Sequence, residues 1–224
     1  LQELEKQGKL TIRVNQLMRA QQAVTLDQMK EAIASWNVKQ DEGNEWLRVG
    51  GVKMGVDGGF EGGWMTELYE KPYDENGRFY GINTLKQEPY TEIVKELNRQ
   101  GWRVSTHAVG DAAIDEVLAG YGAADAEKSI AGRRWTIEHG FIPRQDQLPI
   151  MKKLDLAISA QNHLYLAGPS LVKMWGLKRA SWVTPVRTYL DAGLPVSGGT
   201  DSSVVPYPPL WVFYHFVTRD TITG

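Results

Sequence analysis

Two of the four histidines in this chain of 224 residues sit in closely parallel settings. His107 lies in Val104-Ser105-Thr106-His107-Ala108-Val109-Gly110-Asp111, and His139 lies in Trp135-Thr136-Ile137-Glu138-His139-Gly140. Each ends a short run rich in β-branched residues, and the 32-residue interval between them is close to one βα unit. The two imidazoles are therefore predicted at the same end of adjacent parallel strands. Neutral imidazoles side by side suit a divalent metal, because each offers a nitrogen lone pair and neither needs a counter-charge. Asp201, in Ser197-Gly198-Gly199-Thr200-Asp201-Ser202, follows another strand two βα units later. A carboxylate there could bind the metal, take a proton from the water that the metal activates, or do both. Turns also use Asp and Gly for backbone reasons alone. Lys53 stands inside the apolar run Val52-Lys53-Met54-Gly55-Val56, where a bare ammonium is expensive to bury. A salt bridge, a snorkelling stem, or reaction with carbon dioxide to a carbamate that bridges two metals would each relieve that cost. Spacing does not choose among them.

These groups need a scaffold that presents strand ends side by side. Six runs with strand character alternate with helical patterns: Leu10 to Asn15, Leu47 to Val56, Trp102 to Val109, Trp135 to His139, Leu156 to Ala160 and Pro195 to Ser197. Helical stripes are formed by Tyr90, Ile93, Val94 and Leu97, closed by Gly101, and by Ile114, Val117, Leu118 and Tyr121, opened by Asp111 as N-cap. Another consists of Leu210, Phe213, Tyr214 and Val217. Thr25 precedes a fourth, with Gln28 placed to complete a capping box. Thr184-Pro185 and Gly193 bracket a fifth helix, and a weaker one runs from Asp146 to Leu154. Strict alternation of this kind is the signature of a parallel sheet. Periodicity alone leaves an open doubly wound sheet and a (β/α)8 barrel unseparated. Residues 58 to 87 and 162 to 183 exceed the usual strand-to-helix link of about two to six residues. Both follow carboxyl ends of strands, the ligand-binding face of α/β folds, so each is a candidate active-site loop. The first is Gly-rich and aromatic, running Asp57-Gly58-Gly59-Phe60-Glu61-Gly62-Gly63-Trp64 and then Tyr69 and Tyr73.

Composition narrows the partners. With 42% apolar and 23% charged residues, the chain is neither disordered nor fibrous. Its 25 basic and 27 acidic residues give a net charge of −2, a poor match to nucleic acid or an anionic membrane. A small-molecule substrate is the remaining expectation, with self-association left open. No apolar run approaches the roughly 18 residues of a membrane span. The absence of cysteine removes disulfides, thiolate nucleophiles and cysteine-based zinc sites together. Glycines 58, 59, 62 and 63 complete neither a dinucleotide fingerprint nor a P-loop, and no Gly-x-Ser-x-Gly elbow occurs.

Taken in order, the Val-Lys strand leading to Asp57-Gly58, the segment from His107 through Asp111 to Asp115, Ile137-Glu138-His139, and Gly199-Thr200-Asp201-Ser202 resemble the amidohydrolase superfamily. Within it they resemble most the amidohydrolase 3 branch, which holds the N-substituted formamide deformylases and the exoenzyme-regulatory proteins. The resemblance runs from about Leu10 to Arg219. It implies a metal-dependent hydrolase on a (β/α)8 barrel, with one or two divalent ions, zinc first, and it selects the barrel over the open sheet. His107 resembles the metal-binding histidine that ends the family's fifth strand, and His139 the one that ends the sixth. Asp201 resembles the aspartate that ends the eighth, touching the metal and shuttling the proton, while Lys53 resembles the fourth-strand lysine that can be carboxylated. His163, in Gln161-Asn162-His163, falls where the family places residues that contact substrate. Trp64, Tyr69 and Trp175, on the two long loops, are expected to form an apolar lid that sets substrate preference. The implied activity is hydrolysis of non-peptide, amide-type C–N bonds in small molecules.

One family feature is missing: the His-x-His pair of the first strand occurs nowhere in the chain. The strands present match the third through eighth, so residues 1–224 are expected to form a single incomplete barrel domain without the first strands and the small β-sandwich. The start at Leu1 and the end at Gly224 read the same way. The expected shape is an open, C-shaped piece of barrel, or else one whose gap a partner chain covers, and the chain is expected to be inactive by itself. The alternative is a degenerate scaffold or binding member of the same fold.

Overall fold

The computed structural model describes residues 1–20, 23–71 and 76–224. Tyr73 lies outside the described residues. The framework is one sheet of six parallel strands in chain order, β1 (Val14–Arg19), β2 (Leu47–Gly55), β3 (Val104–Ala108), β4 (Thr136–His139), β5 (Ala157–Gln161) and β6 (Val196–Gly199). Around it run α1 (Gln2–Lys6), α2 (Leu26–Trp36), α3 (Gln87–Arg99), α4 (Asp111–Glu127), α5 (Gln147–Lys153), α6 (Leu164–Ser181), α7 (Val186–Asp191) and α8 (Pro209–Thr218). Arg19 at the end of β1 and Asp201 just past β6 line the same cavity as Lys53 and His107, so the sheet curls into an open half-barrel. Among the described residues β1 and β6 do not pair with each other. No helix of the described residues is long and apolar enough to cross a membrane.

Successive strand side chains point to opposite faces, and here the two faces differ in kind. Val52, Met54, Val104, Ala108, Ile137, Ile158 and Ala160 face outward into the main core, packed with Ile93, Val94 and Leu97 of α3 and Ile114 and Val117 of α4. Thr106, on the same face, is accommodated because the hydroxyls of Tyr90 and Tyr121 lie 2.9 and 2.8 Å from its Oγ1. The intervening residues Lys53, Ser105, His107, Glu138 and Gln161 face the concave side, where they bond to one another or line the cavity. Burying each apolar side chain is worth about 1.5–3 kcal/mol. The outer layer thus holds the sheet together, and the inner face is free to carry polar groups.

Several local readings need correction. The first strand covers Val14–Arg19 rather than 10–15, because pairing with β2 sets it: Val14 lies opposite Leu47, and Arg19 opposite Lys53. Thr25 and Gln28 do form the capping box of α2. Asp111, however, is the first residue of α4 and Gly110 is its N-cap; the Asp111 carboxylate instead accepts from the Thr66 N–H and from Arg144. Residues 162–183 are not a loop. They are mostly α6, an 18-residue helix containing Pro169 and kinked at Gly176, whose φ of 76° breaks the helical path. Helix α8 forms as expected but turns the other way. Leu210, Phe213, Tyr214 and Val217 are exposed, whereas Val212 and His215 are buried. Nearly every residue of α8 is apolar or aromatic, so the spacing could not say which side packs inward.

The described residues of the segment from 58 to 86 form no helix or strand. It is tied to the end of β2 by the bridge between Asp57 and Asn83 and by the Thr84 N–H donating to the Val56 carbonyl, and it is folded on itself by backbone bonds from Met65 to Tyr80 and from Ile82 to Gly62. With α6 it encloses a second apolar cluster that includes Met65, Tyr69, Phe141, Leu171 and Trp175.

Candidate metal centre

Four successive strand ends converge on the cavity, which holds about 600 Å³. His107 comes from β3, His139 closes β4, His163 follows β5 as the N-cap of α6, and Asp201 follows β6. Strand alternation would send His139 outward, since Glu138 already faces the concave side. A left-handed backbone at His139, with φ 72°, redirects it. Asp201 uses the same device, with φ 52°.

One donor atom each from His139, His163 and Asp201 lies within 4.8 Å of the others. The His163 Nε2 is 3.5 Å from the Asp201 Oδ2. Nδ1 of His139 and both ring nitrogens of His163 are buried without a hydrogen-bond partner. Such orphaned buried atoms are costly, and three donors gathered with lone pairs unspent fit a divalent cation. Burial, followed by the charges of His107 and Lys53, pushes the pKa of His139 down to about 2; burial also lowers those of His107 and His163. All three imidazoles are thus neutral near pH 7, the form that ligates.

His107 sits against this group, its ring centroid 4.5 Å from that of His139. Its Nε2 is 2.9 Å from the Gly58 carbonyl and 3.4 Å from the Asp57 carboxylate. Donation from Nε2–H to that carbonyl leaves the lone pair on Nδ1. Asp57 in turn accepts from the backbone N–H groups of Trp64, Val109 and Gly110 at 2.9–3.1 Å. Burial pushes Asp57 up to about 7, against the pull of those donors. Gly110 has no room for a side chain, because a Cβ would overlap the Trp64 carbonyl. One carboxylate thereby clamps the start of the 58–86 segment to the end of β3.

Lys53 does line the cavity, with a partner that spacing did not disclose. Its Nζ is 3.7 Å from the Glu138 Oε2, while Ser105 donates to the Glu138 Oε1 at 2.6 Å. Burial lowers the Lys53 pKa and Glu138 opposes that shift. Trp64 and Tyr69 are not in the cavity wall: Trp64 packs on the main core, and Tyr69 is buried beside Trp175 with its hydroxyl donating to the Gly63 carbonyl at 2.7 Å. The aromatic wall is instead Phe60 and Phe141, whose ring centroids lie 5.9 and 5.3 Å from that of His163. Phe60 belongs to the Gly-rich stretch already singled out, but nothing in the sequence marks Phe141.

The sequence profile of the amidohydrolase family matches residues 1–224. The chain belongs to the amidohydrolase family. It is 30% identical over 169 residues to Protein LONG AFTER FAR-RED 3 of Arabidopsis thaliana, covering 75% of the chain and 29% of that protein. It is 27% identical over 180 residues to N-substituted formamide deformylase of Arthrobacter pascens, covering 80% of the chain and 32% of that enzyme. A solved metal-dependent hydrolase of Pyrococcus furiosus superposes with a TM-score of 0.76 at 27% identity, covering 99% of the chain and 43% of the other. The chain spans about a third of the length of the relatives matched by sequence. Family membership and the His-His-Asp donor set together support a divalent metal at this amidohydrolase site.

Proposed function

We propose that this amidohydrolase-family chain contributes the catalytic face of a metal-dependent hydrolase that cleaves non-peptide, amide-type C–N bonds of small molecules. Residues 1–224 are read as one barrel segment. The observation that carries the reading is the convergence of His139, His163 and Asp201 within 4.8 Å at three neighbouring strand ends. The named activity of the Arthrobacter relative agrees with it. His139, His163 and Asp201 would hold the cation, zinc first, with His107 alongside. When bound, such an ion supplies Lewis acidity to a carbonyl and makes water easier to deprotonate.

The protein groups do the rest. Asp201, with its side chain 46% exposed, opens onto the cavity, where it accepts a proton from the attacking water and hands it to the departing nitrogen. Phe60 and Phe141 give the cavity an apolar wall beside His163. Lys53 is read as an ammonium, because the Glu138 carboxylate beside it stabilises a cation and would repel a carbamate. Asp201→Asn tests the assignment. General acid–base groups contribute roughly 100- to 10,000-fold, so turnover of N-formyl and N-acetyl amines by the complete, metal-loaded protein that contains this chain should fall by at least about 100-fold. Zinc content by elemental analysis should change far less. Retained turnover would refute the role given to Asp201.

A further inference from the structure

Beside the donor set the concave face carries a second polar cluster, drawn from four adjacent strands and centred on Glu138 of β4. Ser105 of β3 donates to its Oε1 at 2.6 Å, and the Gln161 side-chain amide of β5 donates to its Oε2 at 3.4 Å. Gln161 is itself fixed, since the same amide donates to the Ser159 hydroxyl at 3.0 Å. From β2, the Lys53 Nζ approaches Oε2 at 3.7 Å. Both members of this ion pair are largely buried, with side chains 22% and 13% exposed. Lys53 also lines the metal cavity, and its charge interacts with His107, His139 and Asp201.

We propose that Glu138 keeps Lys53 an ammonium, so that the centre takes one divalent ion and Lys53 supplies the second positive charge. The proposal rests on the hydrolase reading of the same cavity and narrows its metal count. The family resemblance allows Lys53 to be a carbamate that bridges two ions, and the residues around it do not fit that group. A carbamate forms when a neutral amine adds to carbon dioxide, making one N–C bond and releasing one proton. An ammonium has no lone pair for that addition. Burial favours the neutral amine, but Glu138 and then Asp201 favour the cation. A carbamate at Lys53 would instead set two anions about 4 Å apart, where repulsion is worth roughly 1,000-fold in an equilibrium. The bonds from Ser105 and Gln161 keep Glu138 from turning aside. One ion satisfies the His139, His163 and Asp201 donors, and the Lys53 ammonium is left to stabilise the oxyanion that forms as water adds to the carbonyl.

The test uses the complete protein that contains this chain, loaded with zinc, freed of unbound metal and equilibrated with carbon-13 bicarbonate. Wild type should hold one zinc per chain by elemental analysis and show no carbamate resonance by NMR. Glu138→Gln, which keeps the shape and removes the charge, should gain both the carbamate resonance and a second zinc. Lys53→Arg retains a cation that forms no carbamate, so its zinc count should stay at one. A carbamate or two ions in wild type, loss of an ion in Lys53→Arg, or a Glu138→Gln protein without carbamate overturns the proposal. Lys53→Met should keep its zinc and lose about 100- to 1,000-fold in kcat, the usual worth of an oxyanion donor. An unchanged kcat overturns the role given to the ammonium. Failure of the hydrolase reading would show separately, as one bound ion without turnover of any amide, and the zinc count and carbamate resonance would still decide the state of Lys53.

Discussion

Replacing His163 with Phe should stabilise the metal-free protein while removing most of its stabilisation by zinc. His163 is 4% exposed, neither ring nitrogen has a hydrogen-bond partner, and Phe60 and Phe141 flank the ring. A buried polar group left unsatisfied costs about 1–3 kcal/mol. The slightly larger phenyl ring costs about 1 kcal/mol in crowding. The net gain for the metal-free variant is thus up to about 2 kcal/mol, or up to roughly 8 °C in Tm for a domain of this size. With zinc the order reverses. A ligand at 1,000 times its Kd stabilises by about 4 kcal/mol. Loss even of a residue that only supports a metal ligand weakens binding by about 10- to 100-fold, so loss of a donor should reduce that stabilisation to about 1.4 kcal/mol or less. Calorimetric melts of both proteins, after chelation and again with zinc, read the two effects separately. A variant that melts below wild type in chelator, yet gains as much from zinc, would refute both the cost assigned to the orphaned nitrogens and the place of His163 among the donors.

Two further outcomes follow from groups outside the donor set. Burial pushes Glu116 up to about 7 from 4.5, although the Asn83 side-chain amide donates to it at 2.7 Å. The folded state therefore holds this proton more tightly than the unfolded one. The stabilisation is complete below about pH 4.5 and is lost as pH rises through about 7, to an upper bound of about 3 kcal/mol. Glu116→Gln should reduce the pH dependence of urea unfolding between pH 5 and pH 8, leaving the part that Asp57 supplies, while its amide gains access to the unpartnered Asn83 Oδ1; an unchanged dependence would place the titration elsewhere. Gly110→Ala should cost about 3 kcal/mol in the same assay, because the added methyl displaces the Trp64 carbonyl and loosens the Asp57 clamp. Wild-type stability would show that this close approach is not needed.

Much of the scaffold was legible because each helix and strand carries its own periodicity. The βα alternation, the parallel strands and the strand-end placement of His107, His139 and Asp201 all followed from local spacing. Harder to read was whatever depends on partners distant in sequence. The bounds of β1 come from its register with β2, and the inward face of α8 from a helix that is apolar all round. α6 was hidden by Gly168-Pro169 and Gly176, which ordinarily punctuate loops but here sit in a kinked helix held by the second apolar cluster. Glu138 shows the same limit in the site. Its pairing with Lys53 joins β4 to β2 across β3, a contact that no interval along the chain encodes.

The strand order gives the donor set a mechanical consequence. In the chain of residues 1–224, taken by itself, β6 is paired on one side only among the described residues, so there its amides should exchange with solvent far sooner than those of β3 or β4, which are flanked on both sides. Asp201 leaves the end of this edge strand, His163 the end of its neighbour β5, and His139 the end of β4. A cation gripped by all three fastens the edge to the sheet interior. Deuterium uptake along residues 196–199 would then report site occupancy, and whatever extracts the ion would also begin to peel the sheet from that side.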